Sequence, residues 1–568
     1  MERAGRDFRI FFTELSTAFV ENPEEVFRRC RCAVIASDGV ECRIPNDPIW
    51  RTALASLLKS LTTVGGNTMV SRVLGFVRDL VLARVFGADA ATDAFFVAFK
   101  IPNFLRRLFG EGAFATAFVP VLMEYKEQRS HSELKALVDH VAGTLGLVLL
   151  IVSFIGVLAA PLIVSLFAFG WVLDGATEKL DLAAQMLRLT FPYLLFISLT
   201  AFAGGILNAH NRFAVPAFTP VLLNLCLIGA ALWLAPQMQQ PVVALAWGVL
   251  IAGVVQFTFQ LPFLHQLKLL PAPRPAPRHE GVGRIMKLML PALFAVSVVQ
   301  INLLLDTVLA SFLQTGSISW LYYSDRLMEF PQGVLGVALA TVILPNLSKR
   351  HAAADSRAFS HTLDWGLRTT LLLGAPAAVG LAVLAGPMIA TLFLSERFDM
   401  RDVSMARLSL MAYSVGLLAF ILIKVLAPAY YARQDTKTPV KIGIVAMVVN
   451  MVFNLALIFP LQHAGLALAT SLSAFVNAGL LFRGLRKRDV YRPGKEWPAL
   501  WLKVGLAVAG MAAVLVWGMP ALQAWSGVGI WMRASWLGAW IGIGALVYFL
   551  LLTLLGIRPH HFRNTGRA

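Results

Sequence analysis

The chain has 568 residues, of which 58% are hydrophobic and only 14% charged, and its mean hydropathy is +0.70. That balance excludes a soluble globule and points to an all-α polytopic membrane protein, because its apolar runs are long enough for spanning helices. A formal charge of +17 would suit a nucleic-acid binder only if the basic residues formed one face, so their placement along the chain has to decide.

Residues 1–53 mix Glu, Arg, Asp and Pro and differ from everything after them. They lack the basic and apolar regions of a secretory signal. Two readings stand: a soluble or membrane-surface arm, with an amphipathic stretch over 7–29, or an upstream start placed before a true one near Leu54 to Leu58. Cys30, Cys32 and Cys42 lie here, but no histidine occurs in residues 1–50 and the spacing fits no common zinc finger. They are therefore read as free thiols, like Cys226 further on.

From residue 54 apolar segments follow one another, and a spanning helix needs about 20 such residues. A first region, 54–266, holds six, at 57–86, 92–122, 136–169, 184–208, 215–236 and 241–264. Residues 267–283 then form a Pro-rich basic linker, LKLLPAPRPAPRHEGV over 267–282, which proline keeps from being helical. A second region, 284–490, holds six more, at 284–312, 319–347, 360–393, 404–429, 439–460 and 464–482. Residues 491–568 add two, 498–518 and 533–556, and a tail, so fourteen spans are expected.

A weak internal repeat relates the two regions. Arg107-Leu108 before Pro120 resembles Arg326-Leu327 before Pro345, and the loop ending at Pro216 resembles that ending at Pro439. Likewise Ala244 to Gln256 resembles Gly465 to Asn477. Order and offset agree, which predicts two six-helix lobes in parallel pseudo-twofold relation, plus two C-terminal helices. Lobes of that kind rock about a cavity near the membrane midplane.

Basic residues gather in alternate connections: Lys126 and Arg129; Lys268 to Lys287; Lys349, Arg350 and Arg357; Arg433, Lys437 and Lys441; Arg483 to Lys495. The opposite connections carry Asp89, Asp174, Glu178, Asp181, Glu396, Asp399 and Asp402. This is the positive-inside pattern; it places both termini in the cytoplasm and demotes nucleic acid as a partner.

Charge also enters the spans themselves, where each residue at the bilayer centre costs roughly 2.5 to 3.5 kcal/mol and must face a wet or protein-lined interior. In the first span Arg72 and Asp79 are seven residues apart, hence within about 20° on a helical wheel, and Arg78 adjoins Asp79. In the second, Asp93, Lys100, Arg107 and Glu111 form one stripe beside Arg106, and Pro102 should kink the helix. Asp325, Arg326 and Glu329 make a third cluster in the eighth. Structural ion pairing is the bland reading. The sharper one is an anion site, because Arg72, Arg78, Lys100, Arg106, Arg107 and Arg326 outnumber Asp79, Asp93, Glu111, Asp325 and Glu329. Arginine's planar fork also grips phosphate in bidentate fashion. The acids are read as charge partners or gates.

Asp306 in the seventh span, Asn450 and Asn454 in the eleventh and Thr470 in the twelfth form a second polar group. It is either interhelical hydrogen bonding or a sodium or proton coupling site, since hard cations take oxygen ligands. Hydrolase, metalloprotease and phosphate-loop motifs are missing, which argues against an enzyme.

Four stretches carry a resemblance: SRVLGFVRD (71–79), ATDAFFVAFKIPNFLRRLFGEGAFATAFVP (91–120), YYSDRLMEFPQGVLGVALATVILP (322–345) and KVLAPAYYARQDTKTPVKI (424–442). They closely resemble the MurJ, or MviN, family of bacterial lipid II flippases, over about residue 54 to the C-terminus. The resemblance implies the multidrug/oligosaccharidyl-lipid/polysaccharide exporter fold in the bacterial inner membrane. It also implies transfer of lipid II, the undecaprenyl-pyrophosphate-linked disaccharide-pentapeptide, from the inner to the outer leaflet for peptidoglycan synthesis. By position it assigns Arg72, Arg78 and Arg326 as essential cavity arginines, and Asp93, Lys100, Arg106, Arg107 and Glu111 as important second-span charges. No cofactor is expected beyond a coupling ion or the membrane potential, and partners are membrane lipids and other cell-wall synthesis and division proteins. Alternatives are a cation-coupled drug exporter of the same fold and a non-transporting cell-wall scaffold.

Overall fold

A computed structural model describes residues 48–107 and 114–557, so Glu111 and the three N-terminal cysteines lie outside the described residues. The chain separates into Met1–Thr62 and Thr63–Ala568. Of the shorter unit only the opening turns of one helix are described; everything below concerns the longer one.

All described regular structure is helical. Helix α1 (Pro48–Phe86) ends at Gly87, whose φ of 73° is the left-handed conformation that only glycine adopts freely. Helix α2 (Ala90–Arg106) starts where the Asp89 carboxylate accepts from the Thr92 N–H at 2.8 Å, and it runs through Pro102. The next helix among the described residues is α3 (Phe114–Gln128). A reciprocal capping box between Ser130 and Glu133 opens α4 (His131–Leu158). The third expected span, 136–169, is thus shorter, and the short α5 (Ala160–Phe167) and α6 (Phe169–Leu173) take up the rest.

Helices α7 (Thr177–Thr190), α8 (Tyr193–Ala209), α9 (Ala214–Gly229) and α10 (Val243–Gln266) complete the first half. Then come α11 (Glu280–Ala310), α12 (Ser317–Pro331), α13 (Val337–Ala352), α14 (Ser356–Val383), α15 (Ala385–Phe393) and α16 (Met400–Tyr431). Helix α17 (Lys437–Lys487) is two helices across Gln462, where φ is 50° and ψ is −131°, at the boundary expected between 460 and 464. Helices α18 (Trp497–Gly518) and α19 (Ile530–Leu554) pack on each other and, through α14 and α15, on the rest. Ten helices among the described residues are long and apolar enough to cross a membrane, with α17 counted once.

Packing follows chain order: α8 and α9 lie on α10, α2 on α7, and α12, α14 and α17 on α16. Helix α11 touches α2, α3 and α4 of the first half and α17 of the second, while α12 meets α2. These contacts bring the charged segments together.

The linker after α10 is strapped onto α4. Asp139, buried in α4 beside Lys135, accepts from the Ala272 N–H at 2.7 Å, and its own carbonyl accepts from Arg274 N–H at 3.1 Å. Ala276 N–H donates to Thr144 Oγ at 3.1 Å. A side chain at Gly143 would collide with the Arg274 and Pro275 backbone, so glycine allows the close approach. The segment after α17 repeats the device on α14, where Asp364 accepts from Tyr491 Oη at 2.6 Å and Trp497 Nε1 at 2.7 Å. Proline-rich chain that cannot bond to itself therefore bonds to the bundle.

Replacing Asp139 by Ala should raise hydrogen exchange at 272–276 about tenfold or more, the worth of one charge-assisted hydrogen bond. Exchange at 491–497 should stay unchanged. A second expectation concerns Asp435 in the turn before α17. Bonds from Thr438 Oγ1 (2.7 Å), Thr438 N–H (3.0 Å) and Arg488 (2.6 Å) hold its carboxyl well below the usual carboxylate range. Because the folded state holds the proton less tightly, this stability is present above the ordinary carboxylate pKa of about 4 and is lost as pH falls. Melting curves of the wild type should therefore drop more between neutrality and about pH 3.5 than those of Asp435→Asn.

Candidate functional site

A cavity of about 300 Å³ lies between the halves of the sequence. Its wall includes Lys100, Asn103 and Arg107 from the segment at α2, Asp306 from α11, Asp325, Arg326 and Glu329 from α12, and Tyr413 and Thr470 from α16 and α17. Lys100 and Arg107 of the charged stripe and Asp306 and Thr470 of the second polar group, read from sequence as separate, share this one space. Lys100 Nζ donates to Thr307 Oγ1 at 3.0 Å, one residue from Asp306.

Behind the wall, Arg78 is buried and donates from Nε and Nη2 to Asp79 Oδ1 at 2.9 and 2.7 Å. Its Nη1 donates to Asn224 Oδ1 at 3.0 Å, and its Nη2 to Tyr322 Oη at 3.2 Å. The Tyr322 hydroxyl in turn donates to Asp79 Oδ1 at 3.0 Å. Arg326 lies over the Tyr322 ring, with its guanidinium carbon 5.0 Å from the centroid, reaches Asp79 at 3.8 Å and pairs with Glu329 at 2.6 Å. One carboxylate from α1 thus stands between arginines from both halves of the sequence.

Among the described residues the wall itself is balanced, with Lys100, Arg107 and Arg326 facing Asp306, Asp325 and Glu329. Arg72 stands apart: it is exposed, and its guanidinium packs on Gly333, where a Cβ would lie 2.6 Å from Nη1. Arg106 donates to Asn103 Oδ1 of its own helix at 2.8 Å. Glu111 lies outside the described residues.

Asp93 is elsewhere, at the end where α1 closes and α2 begins. Its carboxylate accepts from Gly316 N–H (2.8 Å), Ser319 N–H (3.0 Å), Ser319 Oγ (2.7 Å) and Lys179 Nζ (3.2 Å). It therefore caps the first turn of α12 from the opposite half of the chain. Lys179 rests 4.2 Å above the Trp171 ring, so the buried charge is matched on both sides.

In the second polar group Asn454 Nδ2 donates to Asp306 Oδ1 at 2.7 Å, and Asn450 Nδ2 reaches Thr470 Oγ1 at 3.4 Å. Among the described residues the buried Oδ1 atoms of Asn450 and Asn454 have no hydrogen-bond partner. An oxygen-rich site with unsatisfied carbonyls fits a hard monovalent cation.

A second, larger space of about 710 Å³ is almost wholly apolar and lies against the other side of α12. Phe76, Leu327, Phe330, Pro331, Leu381, Trp540, Tyr548 and Phe549 are among its lining residues. Arg326, Glu329 and Gln332 face the polar cavity, whereas Leu327, Phe330 and Pro331 face this groove. The end of α12 thus separates a charged chamber from a greasy one.

The family model "Lipid II flippase MurJ" matches residues 82–534. The chain belongs to the MurJ lipid II flippase family. A protein of Haemophilus influenzae named probable lipid II flippase MurJ is 51% identical over 505 residues, covering 87% of this chain and 99% of that one. The lipid II flippase MurJ of Burkholderia cenocepacia is 45% identical over 518 residues, covering 90% and 100%. Among solved structures, a lipid II flippase MurJ in an inward closed conformation superposes with a TM-score of 0.71 at 26% identity, covering 86% of this chain and 98% of that one. An inward-facing MATE family transporter of the MOP superfamily gives 0.59 at 16% identity over 75% and 97%, which is a likeness of fold.

For this MurJ-family chain the sequence had marked Arg78, Lys100, Arg107 and Arg326, but not Asn224, Tyr322 or Lys179. Asn224 is the lone amide in the apolar run PVLLNLCLIG and Tyr322 sits three residues before Asp325, and those were the available signals. Removing Asp93 as Asp93→Ala would strand the Lys179 ammonium and two backbone N–H groups, so thermal unfolding of the purified protein should show a loss of about 3 to 5 kcal/mol. Adding Lys179→Ala should recover part of it, because the stranded charge is then gone.

Proposed function

We propose that this chain carries lipid II from the inner to the outer leaflet of the bacterial cytoplasmic membrane by alternating access. The observation that carries the reading is the end of α12, with charged residues on one face and an apolar groove on the other. Lipid II has the same division: a pyrophosphate and a bulky polar head joined to a polyprenyl chain. The head belongs in the chamber with Arg326, Lys100 and Arg107, backed by Arg78, while the tail lies along α14, α18 and α19; Arg72, outside that chamber, meets the phosphates as the lobes move. Guanidinium groups replace water around the phosphates, so the head need never enter hydrocarbon. Transport of this kind makes and breaks no covalent bond.

In this reading α1–α10 and α11–α17 form two lobes that rock about the cavity, with α18 and α19 added to the second. Both termini and the basic connections lie in the cytoplasm, following the alternation of Lys and Arg. Counting the two helices of α17 separately turns the ten long apolar helices among the described residues into eleven, and α1, the stretch of α2 with α3, and α11 bring the spans to fourteen. Asp306, Asn450, Asn454 and Thr470 supply the place for a coupling sodium ion or proton, and with the head group in the same cavity the ion and the substrate are linked by charge. The membrane potential, worth about 2.3 kcal/mol per charge per 100 mV, acts on the same step. An exporter of organic cations would suit the three wall acids equally well, but it leaves the groove beside α12 without a purpose.

Arg72→Ala, Arg78→Ala and Arg326→Ala should each reach the membrane and fail to support growth of a flippase-depleted strain. Normal growth of all three would sink the pyrophosphate site. Lipid II exposure at the outer leaflet, followed while the sodium, proton and electrical gradients are collapsed one at a time, should depend on one of them in the wild type and lose that dependence in Asp306→Ala.

A further inference from the structure

Asn224 lies in α9, four residues after Pro220, and is 4% exposed. Its two amide atoms are committed to α1. Oδ1 accepts from Arg78 Nη1 at 3.0 Å, and Nδ2 donates to the Ser71 carbonyl at 3.0 Å. The orientation of the amide is fixed by its partners, since a guanidinium only donates and a carbonyl only accepts. Between them lies Gly75, where an added Cβ would stand 3.6 Å from Nδ2, so the amide rests on a bare patch of helix. Ser71, Gly75 and Arg78 are spaced four and three apart and share one face of α1.

An arginine carries five N–H groups in a rigid fork. Asp79 takes Nε–H and one Nη2–H, Tyr322 the other Nη2–H, and Asn224 one Nη1–H. Asp79 alone would leave the fork free to tilt about the Nε–Nη2 edge. The bond from Nη1 to Asn224 closes the opposite edge and ties it, through Ser71, to the backbone of α1. Among the described residues the second Nη1 hydrogen has no partner.

We propose that Asn224 is a positioning residue that locks the plane of the Arg78 guanidinium, so that its remaining N–H is held ready for a phosphate oxygen of the substrate. The proposal rests on the pyrophosphate reading of the cavity given above. Asn224 touches no substrate in this scheme; it acts through Arg78, and it removes the freedom that a long side chain would otherwise lose on binding.

The test compares binding of undecaprenyl pyrophosphate and undecaprenol, which lacks the phosphates, to the full-length protein in nanodiscs. Asn224→Ala should weaken pyrophosphate binding by about tenfold, the worth of one hydrogen bond to a charged group, and leave undecaprenol binding unchanged. In an Arg78→Lys background the same change should cost nothing further, because an ammonium has no fork to orient. Equal losses for both ligands, or an undiminished loss in the Arg78→Lys background, would overturn the proposal and leave Asn224 a structural residue. If Arg78→Ala weakens pyrophosphate binding while Asn224→Ala does not, the positioning role alone fails; if neither does, the site reading fails with it. Should the alanine variant not reach the membrane, Asn224→Gln, which keeps both amide functions one methylene further out, should show a selective loss of pyrophosphate binding, and an equal loss for both ligands counts against the proposal.

Discussion

A guanidinium between the helices of a membrane protein has no bulk water to fall back on, and the sharing of Asp79 by Arg78 and Arg326 answers that constraint at the place where the two halves of the sequence meet. Burying one charge is costly, and burying a pair is tolerable only when geometry and further hydrogen bonds satisfy what remains. Asp79 is bonded by Arg78 and Tyr322 and approached by Arg326. Tyr322 adds an aromatic face for Arg326 and stacks on Phe96 with ring centroids 4.0 Å apart. Much of the cavity's shape follows from this knot, because α1, α2 and α12 each contribute to it.

The knot also ranks the arginines by how readily each can turn to a ligand. Arg78 is bound by buried partners that an incoming phosphate could displace only at the full cost of leaving them unpaired. Arg326 pairs with Glu329, whose side chain is 48% exposed, and an ion pair of that exposure is worth about 0 to 1 kcal/mol. A phosphate can replace Glu329 at Arg326 while Arg78 keeps its place. Under the proposed pyrophosphate reading one arginine is thus a fixed donor and the other an exchangeable one, which reconciles that reading with a wall balanced in charge.

The helices were legible because apolar runs of spanning length have few other uses, and the turn at Gln462 falls in the gap left between the segments 439–460 and 464–482. Pro102 suggested a kink, yet α2 runs through it as far as Arg106. Spacing within a helix correctly put Lys100 and Arg107 on one stripe, but it also put Asp93 there, at the far end, where it caps α12. Periodicity gives the face of a residue and says nothing of what stands opposite. For the same reason Asp306 and Thr470 were not foreseen in the cavity of Arg326, and Asn224, a single amide in an apolar run, carried no pattern to be recognised.

Contacts across the halves differ in kind with depth. At the end held by Asp93, Arg84 Nε donates to the Leu392 carbonyl at 2.9 Å, Tyr323 Oη donates to the Gly87 carbonyl at 3.3 Å, and Asp93 takes the N–H groups of Gly316 and Ser319. Each is a bond that water can replace; the Tyr323 bond joins neutral groups and is worth about 0.5 to 1.5 kcal/mol net, while those of Arg84 and Asp93 involve charges and are worth about 1.5 to 3 kcal/mol. Deeper in, the Phe96 ring lies on Tyr322 and meets Tyr323 edge-on, and parting apolar rings exposes surface that water does not welcome. Separating the polar rim while keeping the aromatic stack lets water take over the broken hydrogen bonds and leaves the rings unexposed. A rocking motion that turned about Phe96 and Tyr322 would open that end by hydration, one hydrogen bond at a time, and would keep Arg78 and Arg326 close to the axis of the movement.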